Sequence, residues 1–313
     1  MKVIYYPQKI LSKLIKKGVI TVGVFDSLHR GHQYLIKKTT EVASLIRGES
    51  VVITFWPHPQ NEPLVMSLKH RLILLERQNV DFCIIFRFNR SLANLSAEKF
   101  IELLSKKFNL KYLIVGENFR FGKGAQADIF FLKELSLKYG FKLKIIPTVK
   151  FKDSFISTTI IRRLILKGKL NELFSLLARP YSILGRVIRG RKIATDLGFP
   201  TANLSINNEI IPPYGVYIVR IRFENKIFKG LCYIGNRPTF KKTKDTKPTS
   251  IEIHIFNFKK NIYDRYLEVE FIKKLRPQKR FFSTKELIRQ INKDIEKAKN
   301  FFKTSHLNKT QYI

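Results

Sequence analysis

Two histidines, His29 and His32, stand either side of Arg30-Gly31, where an apolar run gives way to a helical pattern. A helix N-terminus offers unpaired N–H groups and the positive end of the backbone dipole, and together these bind phosphate. Gly31 lets a ligand approach the backbone closely. Two imidazoles at such an end can donate hydrogen bonds to the oxygens of a nucleoside triphosphate. One histidine on a helix is by itself more often a surface residue or a satisfied core residue. The H-x-G-H spacing at a strand-to-helix turn is far more specific. A metal reading is weak, because the zincin spacing H-E-x-x-H and its glutamate are missing. A P-loop also fails: Gly116 to Gly122-Lys123 is one residue too long, and Gly124 replaces the Ser/Thr that would hold Mg²⁺. No G-x-G-x-x-G follows the first strand.

A second anion candidate is Ile156-Ser157-Thr158-Thr159-Ile160-Ile161-Arg162, with hydroxyls and an arginine at a helix start. Ser157 or Thr158 serves equally well as a plain N-cap, and a cap and a phosphate use the same end. Later in the chain, Gly198-Phe199-Pro200-Thr201-Ala202-Asn203 supplies a hydroxyl and an amide oxygen two residues apart. On an extended strand those two share a face, where hard oxygens suit Mg²⁺ and ATP, although spacing alone favours a plain strand end. In Ser250–Ile255 the isoleucines share one face and Glu252 and His254 the other; alternation alone puts Glu252 in water.

These residues need elements to hold them. In the first half, Val19–Phe25, Val51–Phe55, Phe82–Phe86, Tyr112–Val115 and Lys144–Ile146 read as buried strands. Helical periodicity fills His32–Ile46, Leu68–Gln78, Ala97–Phe108 and Ile129–Tyr139 between them, followed by Thr158–Lys167 and Asn171–Leu177. Alternating β and α units predict a parallel sheet covered on both faces, with ligands beyond the carboxyl ends of its strands. After Ala178-Arg179-Pro180 the texture changes. Tyr181–Arg189, Phe199–Leu204, Gly215–Phe223, Lys226–Ile234, Ile251–Phe256 and Leu267–Ile272 read as consecutive strands, which predict a small antiparallel barrel. A last helix opens on the capping-box pair Ser283 and Glu286 and carries the stripe Leu287, Ile291, Ile295 and Ala298, suited to packing across the barrel.

Composition bounds the class. The 313 residues are 44% hydrophobic and 27% charged, an ordinary globular balance at a length of about two domains. With 59 Lys+Arg against 24 Asp+Glu the net charge is +35, which favours phosphorylated or polyanionic ligands over an acidic-substrate site. Most of those lysines read as solvated faces. Cys83 and Cys232 are too few for a disulfide framework or a cysteine-rich zinc site, and each sits in an apolar stretch. That suggests a reducing compartment, and a cytoplasmic protein is expected. The N-terminus has no unbroken apolar core, since Lys9, Lys13, Lys16 and Lys17 interrupt it. No apolar run approaches the roughly 18 residues that span a bilayer, so no membrane partner is expected.

His29–His32 and Thr158–Arg162 together resemble the paired signatures of nucleotidylyl transferases. Val22–His32 (VGVFDSLHRGH), Thr54–Pro59 (TFWPHP), Val115–Gly122 (VGENFRFG) and Ile156–Arg162 occur in the order found in the adenylyltransferase half of bacterial bifunctional riboflavin kinase/FAD synthetases. Leu197–Leu204 (LGFPTANL), Pro213–Tyr217 (PYGVY), Ile234–Phe240 (IGNRPTF), Glu252–His254 (EIH) and Leu275–Phe281 (LRPQKRF) resemble the kinase half. The resemblance spans nearly the whole chain. It implies a Rossmann-like α/β nucleotidylyl transferase domain with a parallel sheet (1–180), a small β-barrel riboflavin kinase domain with a C-terminal helix (181–303), and a polar tail (304–313).

The resemblance also implies roles. His29 and His32 steady ATP phosphates, Arg162 supports the leaving pyrophosphate, and Gly23, Phe25, Asp26, Gly31, Thr158 and Thr159 line the nucleotide. His58 and Asn118 meet the flavin. In the kinase half Gly190, Gly198, Pro200, Thr201 and Asn203 hold ATP, Thr201 and Asn203 hold Mg²⁺, and Glu252 accepts the proton of the riboflavin hydroxyl. Substrates are riboflavin, FMN and ATP, with FMN and FAD as product ligands; nucleic acid is not an expected partner and the oligomeric state is open. The sequence departs from the family where Trp56 replaces a frequent acidic residue, Ala194-Thr195 a frequent Gly-Arg, Ala127 a frequent Gly and Gln278 a frequent Glu. None is a residue with an assigned role, but turnover in either half stands in question. Three other readings have distinct consequences. An adenylyltransferase with an accessory barrel uses FMN but not riboflavin, and an RNA-binding protein on this fold shows salt-dependent RNA affinity without flavin turnover. A class I aminoacyl-tRNA synthetase shares H-x-G-H, but K-M-S-K-S is missing and the barrel motifs go unexplained.

Overall fold

The structure is a computed structural model that describes residues 1–7, 11–60, 62–151, 154–190, 197–207, 210–236 and 249–304. Ala194, Thr195 and the tail from 305 lie outside these described residues. The chain forms two compact units, Met1–Thr158 and Thr159–Ile313.

The first unit is built on a six-stranded sheet of β1 (Lys2–Tyr6), β2 (Gly18–Val22), β3 (Glu49–Trp56), β4 (Phe82–Arg87), β5 (Leu110–Gly116) and β6 (Lys142–Ile146). The strands are ordered β1-β4-β3-β2-β5-β6 and every pairing is parallel. A parallel sheet needs crossovers, and these cover both faces with helices. The helices are α1 (Leu11–Leu14), α2 (Arg30–Leu45), α3 (Leu68–Glu76), α4 (Arg90–Ala93), α5 (Ala97–Phe108) and α6 (Ile129–Tyr139). Alternation along the strands feeds the two sides. Ile20, Val51, Ile53 and Ile84 pack with Phe100, Leu104, Phe108 and Leu132 on one face. Val52, Cys83 and Ile85 pack with Ile36, Leu74 and Leu75 on the other. Because both faces are covered, β2 is buried at every residue, and its sequence is apolar apart from Thr21.

Side chains of Ser67, Ser96 and Asp128 cap α3, α5 and α6 by accepting backbone N–H bonds. Such caps replace the lost intrahelical partners and contribute roughly 1 kcal/mol each. The first unit ends with a short hairpin, β7 (Lys150–Phe151) with β8 (Ser154–Phe155), and the second opens with α7 (Thr158–Leu166), whose first residue closes the first unit, and α8 (Leu170–Leu177).

The second unit is a closed antiparallel barrel of β9 (Ser182–Ile188), β10 (Ala202–Ser205), β11 (Gly215–Phe223), β12 (Lys226–Asn236), β13 (Thr249–Ile255) and β14 (Tyr266–Arg276). Its order is β10-β13-β12-β11-β14-β9. Closure removes the exposed strand edges that would invite aggregation. The final helix, α9 (Thr284–Thr304), lays Ala298 and Phe302 on Val216, Ile218 and Leu231 of the barrel's outer face. Arg276 of β14 pairs with the buried Asp294 at 2.8 Å and fixes the helix there. Ser283 accepts from the Glu286 N–H as the capping-box pattern expects, while the Glu286 carboxylate reaches the Phe282 N–H rather than that of Ser283.

Several elements differ from the expectation: α1, α4, β7 and β8 are additional, and many other bounds move by a few residues. β1 is an additional edge strand. β2 ends at Val22 instead of Phe25, because Phe25 turns to φ +53°. β10 begins at Ala202 instead of Phe199, because Pro200 lacks the N–H a ladder needs and Gly198 sits at φ +88°.

Phe302 is 5% exposed in the helix–barrel contact. Phe302→Ala should destabilise the second unit by about 3–5 kcal/mol through a cavity that the barrel cannot collapse around. Denaturant unfolding of the full chain, followed by probes in each unit, should show the transition of the second unit moving and that of the first holding still.

Candidate functional site

In the first unit the turn between β2 and α2 sits at the carboxyl edge of the central sheet region. Gly23 begins it, and a Cβ added there would lie 2.9 Å from the Phe25 ring, so the glycine makes the seat for that ring. Phe25 and Leu28 both adopt left-handed backbone, at φ +53° and +43°. These uncommon conformations bend the chain sharply enough to deliver His29 as the N-cap of α2. The His29 Nδ1 accepts the His32 N–H at 3.3 Å. The two imidazoles stack with centroids 3.7 Å apart and an interplanar angle of 15°. Phe25 meets the His32 ring edge-on at 5.2 Å. A Cβ at Gly31 would fall 3.1 Å from the His29 ring, so the position is kept clear for that imidazole.

Electrostatics follow from this packing. His29 is 8% exposed, and burial pulls its pKa down to about 4. His32 is also driven well below the ordinary histidine value, first by burial, then by His29 and by the guanidinium of Arg71. Both rings are neutral at pH 7. The His32 Nδ1 is buried with no hydrogen-bond partner among the described residues. Asp26 is buried and accepts the Val65 N–H at 3.3 Å.

Other sequence candidates lie in the loops after the strands and at the start of α7. Ser27 and Thr158, both in the first unit, share a hydroxyl–hydroxyl hydrogen bond of 3.2 Å. Thr159 follows Thr158, and Arg162 lies one helical turn beyond it on the same helix face. His58 follows β3 and accepts the Gln60 N–H at 3.1 Å; Asn118 follows β5 and donates to Thr148 Oγ1 at 2.9 Å. Since β3 and β5 flank β2 in the sheet, these two side chains stand on either side of the histidine turn. Trp56 packs into the hydrophobic cluster of Phe25 and Leu28, and so fills a corner. Ala127 bridges Phe121 in a two-residue ladder.

In the second unit the barrel register does the assembling. Asn203 of β10 lies directly opposite Glu252 of β13, and Glu252 directly opposite Tyr233 of β12. Val216 and Arg276 continue the row on β11 and β14. Residues opposite one another in an antiparallel pair share a face, with Cβ atoms about 5 Å apart. Asn203, Glu252 and Tyr233 thus form one polar row on the outer face, while Ala202, Leu204, Ile251 and Ile253 point into the core. Ser250 donates to Glu252 Oε1 at 3.0 Å, and Gln278 donates to the Tyr233 hydroxyl at 3.0 Å. Burial, aided by Glu252, raises the Tyr233 phenol above its ordinary range, so Tyr233 keeps its proton. Asn203 packs on Gly190 so closely that a Cβ there would lie 2.0 Å from its amide nitrogen. His254 holds the Pro200 carbonyl with its Nδ1 at 2.9 Å, which moors the Gly198–Asn203 segment to β13. Thr201 and Asn203 occupy alternate positions of that segment and present neutral oxygens beside a carboxylate.

Sequence reasoning missed Arg71, Thr54, Tyr233 and Ser250. Arg71 looks like a surface charge on a helix, and the other three gain meaning only through pairing with distant residues. Among the described residues, no group of three His, Cys, Asp or Glu side chains is placed to hold a metal ion. No helix in them is long and apolar enough to cross a membrane.

Comparison with known proteins gives two family matches, one described as FAD synthetase over residues 11–160 and one as riboflavin kinase over residues 177–302. A bifunctional riboflavin kinase/FMN adenylyltransferase of Buchnera aphidicola subsp. Schizaphis graminum is 38% identical over 93% of this chain and 96% of its own. The protein of the same description from Bacillus subtilis is 32% identical over 96% and 98%. A crystal structure from Streptococcus pneumoniae, titled as a macrolide-efflux protein, superposes with a TM-score of 0.81 at 27% identity, covering 96% of this chain and 99% of that one.

The depressed histidines make the first unit sensitive to acid. An unfolded histidine binds a proton near pH 6.5, whereas His29 in the fold binds one only near pH 4. The unfolded state therefore holds more protons between those values, so stability is full above pH 6.5 and falls as pH drops toward 4. Each such histidine contributes a slope of about 1.4 kcal/mol per pH unit in that window. His29→Asn should flatten the profile, measured as the denaturation midpoint of the first unit from pH 4.5 to 7.5.

Proposed function

The chain belongs to the family of bifunctional riboflavin kinase/FMN adenylyltransferases, and on that premise we propose how its residues divide the work. It phosphorylates riboflavin to FMN in the C-terminal flavokinase part and adenylylates FMN to FAD in the N-terminal FAD synthetase part, with ATP as co-substrate of both steps. The observation that carries the division is that each unit has its own site for anionic ligands: a helix N-terminus with two neutral imidazoles in one, and an oxygen-rich row around Glu252 in the other.

In the kinase step the acceptor is an alcohol. Its oxygen attacks the γ-phosphorus of ATP, the bond from that phosphorus to the bridging oxygen breaks, and ADP departs. The hydroxyl proton must leave as the new bond forms, and Glu252 is the positioned carboxylate that accepts it. A loose phosphoryl-transfer transition state keeps the demand on that base modest. Thr201 and Asn203 are the residues that would hold Mg²⁺, whose hard-oxygen preference their donors fit. When bound, Mg²⁺ neutralises charge on the ATP phosphates. Gly190, Gly198 and Pro200 let the ATP phosphates approach the backbone of this segment.

In the adenylyl step the acceptor is already an anion. A phosphate oxygen of FMN attacks the α-phosphorus of ATP and pyrophosphate leaves, so no strong base is required. The obstacle is the meeting of two anions, which preorganised donors answer. His29 and His32 donate to the phosphates from the end of α2, with Gly23, Phe25, Asp26 and Gly31 shaping the nucleotide seat. By the family resemblance Thr158, Thr159 and Arg162 are assigned to the departing pyrophosphate, and His58 and Asn118 to the flavin. We place the functional boundary at 180/181, with the kinase part running to 303; the kinase match beginning at residue 177 supports that placement. The two buried free thiols, Cys83 and Cys232, support a cytoplasmic setting.

The division is tested by following products from riboflavin and ATP with Mg²⁺ over time. FMN should appear before FAD. Glu252→Ala should lower FMN formation by about 10²–10⁴-fold and spare FMN-to-FAD conversion. His29→Ala with His32→Ala should do the opposite. If either lesion stops both steps in a folded protein, the assignment is wrong.

A further inference from the structure

The first unit contains a buried cation for which the two reactions above have no use. Arg71 on α3 is 0% exposed. Taking a guanidinium out of water costs several kcal/mol, and that cost has to be met by what the group touches. Its Nη1 donates to Thr54 Oγ1 at 2.9 Å and to the Phe55 carbonyl at 3.4 Å, both at the carboxyl end of β3. Thr54, also buried, passes the contact on by donating from Oγ1 to the Val24 carbonyl at 2.8 Å. Val24 is the first residue of the strained stretch that ends in His29. Asp26, in the same stretch, acts on Arg71 as the opposite charge that favours its ionised form. The turn is thus held at Val24 by a hydrogen-bond relay and at Asp26 by charge, and one guanidinium supplies both. Its Nε and Nη2 have no hydrogen-bond partner among the described residues, so the cation is only partly satisfied. A simple structural ion pair would fill those donors.

We propose that Arg71 is a positioning residue for adenylyl transfer: it clamps the Val24–Leu28 turn to β3 so that His29 and His32 face the phosphates, and it adds a positive charge beneath them that no ligand touches. The position of the charge fits the need. Burial leaves its field less screened than that of any surface lysine. The same cation also helps keep His32 neutral, so the imidazole stays a hydrogen-bond ligand rather than a second charge. This inference rests on reading His29 and His32 as phosphate ligands.

Three variants of the full chain test it: Arg71→Met removes charge and fork, Arg71→Lys keeps the charge, and Thr54→Val breaks the relay while leaving Arg71 in place. Rates of FAD formation from FMN are measured against ATP concentration, and riboflavin phosphorylation on the same preparations reports intact protein. Arg71→Met should lower kcat for adenylyl transfer by about 10²-fold, the scale of losing a preorganised electrostatic group. Arg71→Lys should recover it to within about tenfold of wild type. Thr54→Val should raise the KM for ATP and lower kcat by about tenfold, and riboflavin phosphorylation should stay within about twofold throughout. The proposal is overturned if Arg71→Met leaves kcat within about threefold of wild type, or if lysine restores nothing that methionine lost. Where Arg71→Met does not fold, Thr54→Val decides, and unchanged kcat and KM in that variant overturn the proposal. A wild-type chain that phosphorylates riboflavin yet makes no FAD overturns the reading of the phosphate site itself, and the inference with it.

Discussion

Two imidazole rings lying 3.7 Å apart cannot both carry a proton, and the first unit is arranged around that constraint. Like charges at such a distance repel by several kcal/mol in a partly desolvated site. Burial forces the same answer from the other side, since it disfavours the charged form of each ring. The result is a pair of neutral ligands held by a cap bond, by an edge contact from Phe25 and by the empty space over Gly31. Neutral donors suit the proposed adenylyl-transfer site, which would bind a polyanion and then let pyrophosphate go. Positive charge comes instead from the helix dipole and from guanidinium groups, which do not lose protons near pH 7.

The barrel solves a different geometric problem. A strand brings only every second residue to one face, so no single strand of it carries a base, an amide and a phenol side by side. Register does, because Asn203, Glu252 and Tyr233 come from three neighbouring strands and stand in one transverse row. The row holds only as long as the closed barrel holds its stagger, and a slip of one residue would turn Glu252 into the core. The α9 contact through Ala298 and Phe302 and the Arg276–Asp294 pair anchor a helix across the strands that fix that stagger.

What could be read from the chain was what local physics controls. The central strands of the first sheet announce themselves because both faces are covered and their sequences are mostly apolar, with small polar residues such as Thr21 and Thr54 the exceptions. The H-x-G-H turn is legible because cap, glycine and helix start are all within a few residues. β1 is not, since only Ile4 of its five residues is buried and the lysines that follow it look like a tail. Arg71 is illegible for the opposite reason. Helix α3 carries Lys69, Arg71 and Glu76 in a pattern that suggests solvent, and only the sheet beneath it shows that Arg71 points inward. The Glu252 row lies beyond any sequence reading, because alternation along β13 gives the face of Glu252 but not its neighbours.

The two units differ as the acceptors of their reactions differ. An alcohol is a weak nucleophile until its proton leaves, so the proposed kinase site places a carboxylate among neutral oxygens, with Ser250 steadying one of its oxygens. An FMN phosphate is already ionised, so a carboxylate beside it would only add repulsion. The carboxylate within the histidine turn, Asp26, is buried, accepts the Val65 N–H and feels the charge of Arg71. On the proposed assignment, the acceptor's own charge accounts for a carboxylate in the kinase row and for the burial of Asp26 in the histidine turn.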